Sequence, residues 1–220
     1  MQKTASLTLS TTMRFPMRQV AASASQNIVK LRSEVIPGNP NNHLVFLHGL
    51  FGQAASFRFL AKRKEMQANF TCHLLDMRNH GNPGQWHSEM DYESMARDVH
   101  AYLQNAGADR EKSVSIVGHS MGGKTGITLA CLFPNLINKL VSLDAPPVDR
   151  NSLEHLNQVT KCLIETAAAI GDLRPLGYKG AVAHIRQVVS DPVTQSALIF
   201  NLCAADASWN INLAAIQKNQ

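Results

Sequence analysis

From residue 28 the chain alternates between short apolar runs and longer stretches with helical spacing. "NIVKLRSEVI" (27–36) alternates well enough to predict a first strand, and the turn cluster "PGNPNN" ends it. "HLVFLHG" reads as a short buried strand closing on His48-Gly49. "ASFRFLAKRKEM" sets Phe57, Leu60 and Ala61 on one helical face. "FTCHLLDM" is a second buried strand, followed by the Gly/Pro loop "RNHGNPGQWHS". "DYESMARDVHAYLQNAG" predicts a helix with Asp91 as N-cap and Gly107 as its stop. "SVSIVGH" is a third apolar strand. A helix then runs from Ser120 to about Phe133, where Pro134 ends it. "KLVSLDAPP" supplies a fourth apolar strand.

After Pro147 the pattern becomes helical only: "SLEHLNQVTKCLIETAAAIG", "KGAVAHIRQVVSD" and "PVTQSALIFNLCAA". Strands alternating with helices predict an α/β fold with a parallel sheet covered on both faces. The expected organisation is a leader at 1–27, an α/β core at 28–147 and a helical cap segment at 148–220.

Composition changes this picture little. The chain has 220 residues, 45% of them hydrophobic, which suits one domain with a real core. Its net charge of +5 is concentrated in residues 1–33: Lys3, Arg14, Arg18, Lys30 and Arg32 precede the first acidic residue, Glu34. The rest is balanced, so the charge gives no reason to expect a nucleic-acid partner. Residues 1–27 are Ser/Thr-rich, Arg-containing and acid-free, the composition of an organellar and most simply mitochondrial transit peptide. The cysteines Cys72, Cys131, Cys162 and Cys203 are too scattered for a zinc site or a disulfide framework. No metal or cofactor is expected, and no run approaches the roughly 20 apolar residues of a membrane span.

"GHSMGGKT" (118–125) satisfies two motifs at once. Gly118-His119-Ser120-Met121-Gly122 is G-x-S-x-G, a sharp strand-to-helix turn that exposes a nucleophilic serine. Gly118, Gly123, Lys124 and Thr125 also fit the phosphate-binding G-x-x-x-x-G-K-[ST]. In that case Lys124 would reach phosphates, Thr125 would ligate Mg²⁺, and "LVSLD" would offer a second metal anchor. Context favours the serine. "FLHGLFG" lies at the end of an earlier strand, where a hydrolase places its first oxyanion donor. The N–H of Leu50 is the candidate there, and the N–H of Met121 is the second. A nucleotide site leaves "HGLFG" and "DMRNHG" unexplained.

"FLHGLFG", "LLDMRNHG", "VGHSMGGK", "LVSLDAPP" and "ASWNINLAAI" together resemble the α/β-hydrolase superfamily, in its esterase branch, across roughly residues 40–215. The resemblance implies Ser120 as nucleophile and Asp144 as the triad acid. Asp76 is the alternative acid by residue type, but it, His80 and His119 read better as loop-bracing residues. An acyl pocket lined by Phe51 and cap residues, Trp209 among them, would take a small-molecule ester, a lipid or an acyl thioester. Lys124 then belongs to the helix after the turn. The family's base sits in a "GHWVH"-like turn after two further strands, and this sequence contains neither. His155 and His184, the histidines after Ser120, fall in the helical segment. The chain therefore reads as C-terminally truncated, with an exposed sheet edge and impaired turnover. The alternative is a hydrolase-like shell that binds an acyl ligand or a partner without turnover.

Overall fold

A computed structural model describes residues 27–81, 83–145 and 154–219. The predicted leader lies outside the described residues except for Asn27. Five strands form one sheet: β1 (Ser33–Ile36), β2 (His43–Leu47), β3 (Thr71–Leu75), β4 (Val114–His119) and β5 (Ile137–Leu143). Their order is β1-β3-β2-β4-β5. Strands β2 to β5 run parallel, whereas β1 pairs antiparallel with β3. The helices are α1 (Arg58–Ala61), α2 (Lys64–Asn69), α3 (Tyr92–Asn105), α4 (Met121–Leu132), α5 (Glu154–Ile170), α6 (Gly177–Val188), α7 (Pro192–Phe200) and α8 (Leu213–Lys218).

Strand β2 is central and buried throughout. Its side chains alternate between two cores, as strand geometry requires. Val45 and Leu47 join Met95, Val99 and Leu103 of α3 and Leu129 of α4. Leu44 and Phe46 face Ala54, Ala61 and Leu74 on the other side. A third apolar cluster belongs to the cap, built on Ile164, Leu173, Ile185 and Leu198. Leu50 packs against both the α3–α4 core and this cap cluster, so it lies at their seam.

Two expectations are corrected. The first strand is shorter than 27–36, starting at Ser33. The single helix over 55–66 is instead a 3₁₀ turn, Ala54–Phe57, followed by α1 and α2. "RK" at 63–64 marks the break, where Arg63 is extended and caps α2. The α3 expectation holds: the Asp91 carboxylate accepts from the Ser94 N–H at 2.7 Å, and Gly107 turns out of the helix at φ +65°.

The outer strand β5 presents Val141 and Leu143 at 48% and 42% exposure, and among the described residues no strand pairs with its free edge. That matches the exposed edge expected from the sequence.

The loop after β3 is held by an ion pair with no solvent access. Arg78 Nε and Nη2 donate to the Asp98 carboxylate at 2.7 and 2.8 Å, and both side chains are 0% exposed. Further bonds support the pair: Arg78 also donates to the carbonyls of Asn27 and Glu89, and Asp98 accepts from the Val29 N–H. Burial pushes the Asp98 carboxyl up, and the Arg78 guanidinium pulls against that shift. Removing one partner strands a buried charge. We expect Arg78→Met or Asp98→Ala to lower the unfolding free energy by about 3–5 kcal/mol. The measurement is the urea midpoint at unchanged slope. The double variant Arg78→Met/Asp98→Leu should lose less than either single change, and a single-variant loss below about 1 kcal/mol would contradict this account.

Candidate active site

The turn from β4 into α4 places Ser120 at φ +48°, ψ −114°, outside the regions ordinary L-residues adopt. Three glycines make this possible. A Cβ on Gly118 would run into the Gly122 carbonyl, and one on Gly122 into the Leu47 carbonyl. A Cβ on Gly123 would stand 2.7 Å from Ser142 Oγ. The start of α4 is thus wedged against the ends of β2 and β5. The Ser120 N–H donates to Leu143 O at 2.8 Å, locking the turn to β5. Among the described residues, nothing is hydrogen-bonded to the Ser120 hydroxyl.

The loop after β2 comes up beside this serine. A Cβ on Gly49 would lie 3.3 Å from Ser120 Cβ. The Gly52 N–H closes a turn onto Gly49 O at 2.9 Å, with Leu50 and Phe51 as its central residues. Met121 is the first residue of α4, so its N–H lacks an intrahelical acceptor. The Leu50 N–H likewise donates to no group among the described residues. Neither N–H has an acceptor among the described residues; Met121 directly follows Ser120 at the positive end of the helix, and Leu50 follows Gly49, which packs against Ser120.

Two buried histidines brace the loop. The His48 ring accepts the Met77 N–H at Nε2 (3.0 Å) and donates from Nδ1 to Gly49 O (2.8 Å). Because a peptide is planar, holding Gly49 O also orients the Leu50 N–H. The His80 ring accepts the Phe51 N–H at Nε2 (3.2 Å) and donates from Nδ1 to Arg78 O (3.0 Å). Both rings are neutral. Burial, first of all, lowers His48 to about 4 and His80 to about 3, and a second proton would turn either acceptor nitrogen against an N–H.

The candidate residues fall as follows. Asp144 ends β5 at φ +52°, exposed, directly after the Leu143 carbonyl that holds the Ser120 N–H. Asp76 braces the loop: its carboxylate accepts the Ala54 N–H at 2.7 Å and faces Arg32 at 3.8 Å. His80 is a brace too, as expected. His119 is exposed and lies against Gly49. The Phe51 ring is 4% exposed within the cap cluster. Trp209 packs on that cluster and donates its indole N–H to Gly171 O at 3.0 Å. His184 lies on α6, half-buried, and His155 lies on α5. The nucleotide alternative loses its metal ligand. The Thr125 side chain is fully buried and donates to Met121 O inside the helix, and the Lys124 ammonium sits 5.8 Å from the Tyr92 ring centre. Among the described residues no cluster of His, Cys, Asp and Glu could hold a metal ion, and no helix is long and apolar enough to cross a membrane.

The sequence reading missed His48 and Asn201 as parts of this site. His48 carried a signal, as the residue before Gly49. Asn201 carried none, because its partner Phe51 is 150 residues away.

Comparison with known proteins places this geometry in context. A family model described as alpha/beta hydrolase fold matches residues 42–161. The Escherichia coli esterase YbfF is 32% identical over 190 residues, covering 86% of this chain and 69% of that protein. A mouse protein named sn-1-specific diacylglycerol lipase ABHD11 is 31% identical over 181 residues, covering 80% of this chain. The chain spans only 57% of that relative's length. Among solved structures, a marine microorganism esterase superimposes with a TM-score of 0.72 at 28% identity, covering 86% of this chain and 71% of its own.

The buried neutral histidines make stability depend on pH. His48, His80 and His73, the last lowered to about 4 chiefly by burial, are depressed below the value of 6.5 expected when unfolded. The unfolded chain therefore binds more protons in that window. Unfolding free energy should be flat above about pH 7. It should fall as pH drops from about 6.5 towards 4, by up to about 1.4 kcal/mol per pH unit for each histidine. Urea titrations between pH 8 and pH 5 test this above the carboxylate range, and a constant midpoint would refute it.

Proposed function

The chain belongs to the alpha/beta hydrolase family, and from that premise we propose that it is a serine carboxylic-ester hydrolase working through an acyl-Ser120 intermediate. One observation carries the reading: a strained serine at the turn from β4 into α4 stands against Gly49, and the N–H groups of Leu50 and Met121, the residues after Gly49 and Ser120, have no partner among the described residues. Ser120 Oγ attacks the ester carbonyl. The carbonyl oxygen gains charge as the tetrahedral intermediate forms, and the two N–H groups receive it. The Ser120 hydroxyl proton passes through water to the alkoxide oxygen as the acyl carbon–oxygen bond breaks and the alcohol leaves. A second water then adds to the acyl carbon, the bond to Ser120 Oγ breaks, and the acid departs as a proton returns to Ser120 Oγ. Asp144 is the triad acid; it follows Leu143, which pairs with His119 at the end of the β4–β5 ladder.

The substrate class is an acyl ester or acyl thioester with an apolar chain. The apolar seam that runs from Leu50 through Phe51 to the cap residues and Trp209 supports this. The names of the relatives, an esterase and a diacylglycerol lipase, point the same way. The leader composition supports a mitochondrial address.

A serine hydroxyl needs a base, conventionally histidine. His155 and His184 lie on cap helices, and no histidine bonds to Ser120 among the described residues. We therefore infer that the 220-residue chain assayed alone turns over on the order of 10⁴–10⁶ more slowly than an esterase with a complete triad. That the Ser120 hydroxyl has no partner among the described residues also favours a second reading, a shell that binds acyl ligands or a partner without turnover.

A fluorophosphonate probe separates these readings. The hydrolase reading expects slow labelling that Ser120→Ala abolishes and Lys124→Ala preserves. Ester binding without any labelling favours the second reading. Labelling that survives in Ser120→Ala, or ATP binding lost in Lys124→Ala, overturns the proposal.

A further inference from the structure

The turn Gly49–Gly52 is built against its own preference. Its third residue, Phe51, has φ +58°, the position at which a type II turn favours glycine. A phenylalanine there is strained, and it persists only where its surroundings hold it. Three contacts do so. The Phe51 N–H donates to His80 Nε2, from the loop after β3. The Phe51 carbonyl accepts from Asn201 Nδ2 at 2.7 Å, from the end of α7 in the cap. The ring is enclosed in the cap cluster. Gln53 adds a further tie to the same cap corner, donating to Phe200 O at 2.7 Å.

Asn201 is fully buried. Its amide nitrogen also bonds Ala197 O, and its Oδ1 has no partner. A buried amide left half-satisfied is costly, so its role at Phe51 O is an expensive one to maintain. The peptides on both sides of Leu50 are thus pinned: the one before it by His48 at Gly49 O, the one after it by His80 at the Phe51 N–H.

We propose that His80 and Asn201 are positioning residues which hold the strained Gly49–Gly52 turn, so that seating of the cap sets the Leu50 N–H beside Ser120. This rests on the reading of Leu50 as an oxyanion donor. The core supplies one jaw of the clamp and the cap supplies the other. A cap that lifts at α7 releases Phe51 O, lets Phe51 relax to negative φ and displaces Leu50. The arrangement ties formation of the anion-stabilising site to closure of the cap.

The test uses the full chain and three variants: Asn201→Ala, Asn201→Asp and Gln195→Ala. Asn201→Asp keeps the volume and replaces the donor by an acceptor. It serves where Asn201→Ala does not fold. Gln195 bonds Val189 O at 2.6 Å within the cap and reports general cap loosening. Two readouts are taken, the fluorophosphonate labelling rate at Ser120 and amide hydrogen exchange at Phe51. Loss of one oxyanion donor costs about 10²–10³ in rate, so partial misplacement should slow labelling about 10–100-fold. The clamp predicts that slowing, with faster Phe51 exchange, in the Asn201 variants. Gln195→Ala should match the parent in both. Equal labelling in the Asn201 and Gln195 variants, or unchanged Phe51 exchange, overturns the clamp. If the parent itself is not labelled, the hydrolase reading fails, and exchange at Phe51 still decides whether Asn201 holds the turn.

Discussion

A guanidinium and a carboxylate with no exposed surface, Arg78 and Asp98, anchor the loop on which the candidate site depends. The pair ties the loop after β3 to α3 and, through Asn27 O and the Val29 N–H, to the entering chain. From that anchored loop the Met77 N–H orients His48, and His80 reaches the Phe51 N–H. The same loop seats the cap: the Gly81 N–H donates to Asn210 O at 2.6 Å, and the Asn212 N–H to Asn79 O at 2.9 Å. A buried ion pair contributes little net stability over an apolar substitute. Its value here is geometric, because one fixed loop braces both the Gly49–Gly52 turn and the docking of the cap.

The second constraint is steric. The start of α4 folds back on β4 at Gly118 and approaches the end of β2 at Gly122 so closely that only glycine fits at either position. That approach forces Ser120 into its unusual conformation and lifts its side chain beside Gly49. Backbone strain of this kind costs on the order of 1–3 kcal/mol and is kept where the surrounding fold over-determines it. Here the Ser120 N–H bond to Leu143 O and the packing of Gly123 against Ser142 and Ala145 do that work.

Much of this was legible in the sequence. Buried strands such as "HLVFL" and "TCHLL" declare themselves by uninterrupted apolar residues, and α3 by its Asp91 cap and Gly107 stop. The serine turn is local, so eight consecutive residues suffice to describe it. "HGLFG" is local in the same way, and the Gly49–Gly52 turn lies within it. The helix over 55–66 misled because Phe57, Leu60 and Ala61 keep helical spacing across the join of the 3₁₀ turn and α1, and neither glycine nor proline marks the later break at Arg63. His80 read as a loop brace from the sequence, but what the supports hold was illegible for a physical reason. His80 and Asn201 meet Phe51 from 29 and 150 residues away, and a buried asparagine reads as a surface residue until the fold is known.

The central claim is that Ser120 is the atom acylated. The most direct measurement is mass spectrometry of the 220-residue chain after prolonged incubation with a short-chain p-nitrophenyl ester. With no histidine bonded to Ser120 among the described residues, deacylation should be slow and the adduct should accumulate. The account predicts one acyl group per chain, on the peptide carrying Ser120. Acylation at a lysine or cysteine instead, or ester turnover that leaves Ser120 unmodified and persists in Ser120→Ala, would contradict it.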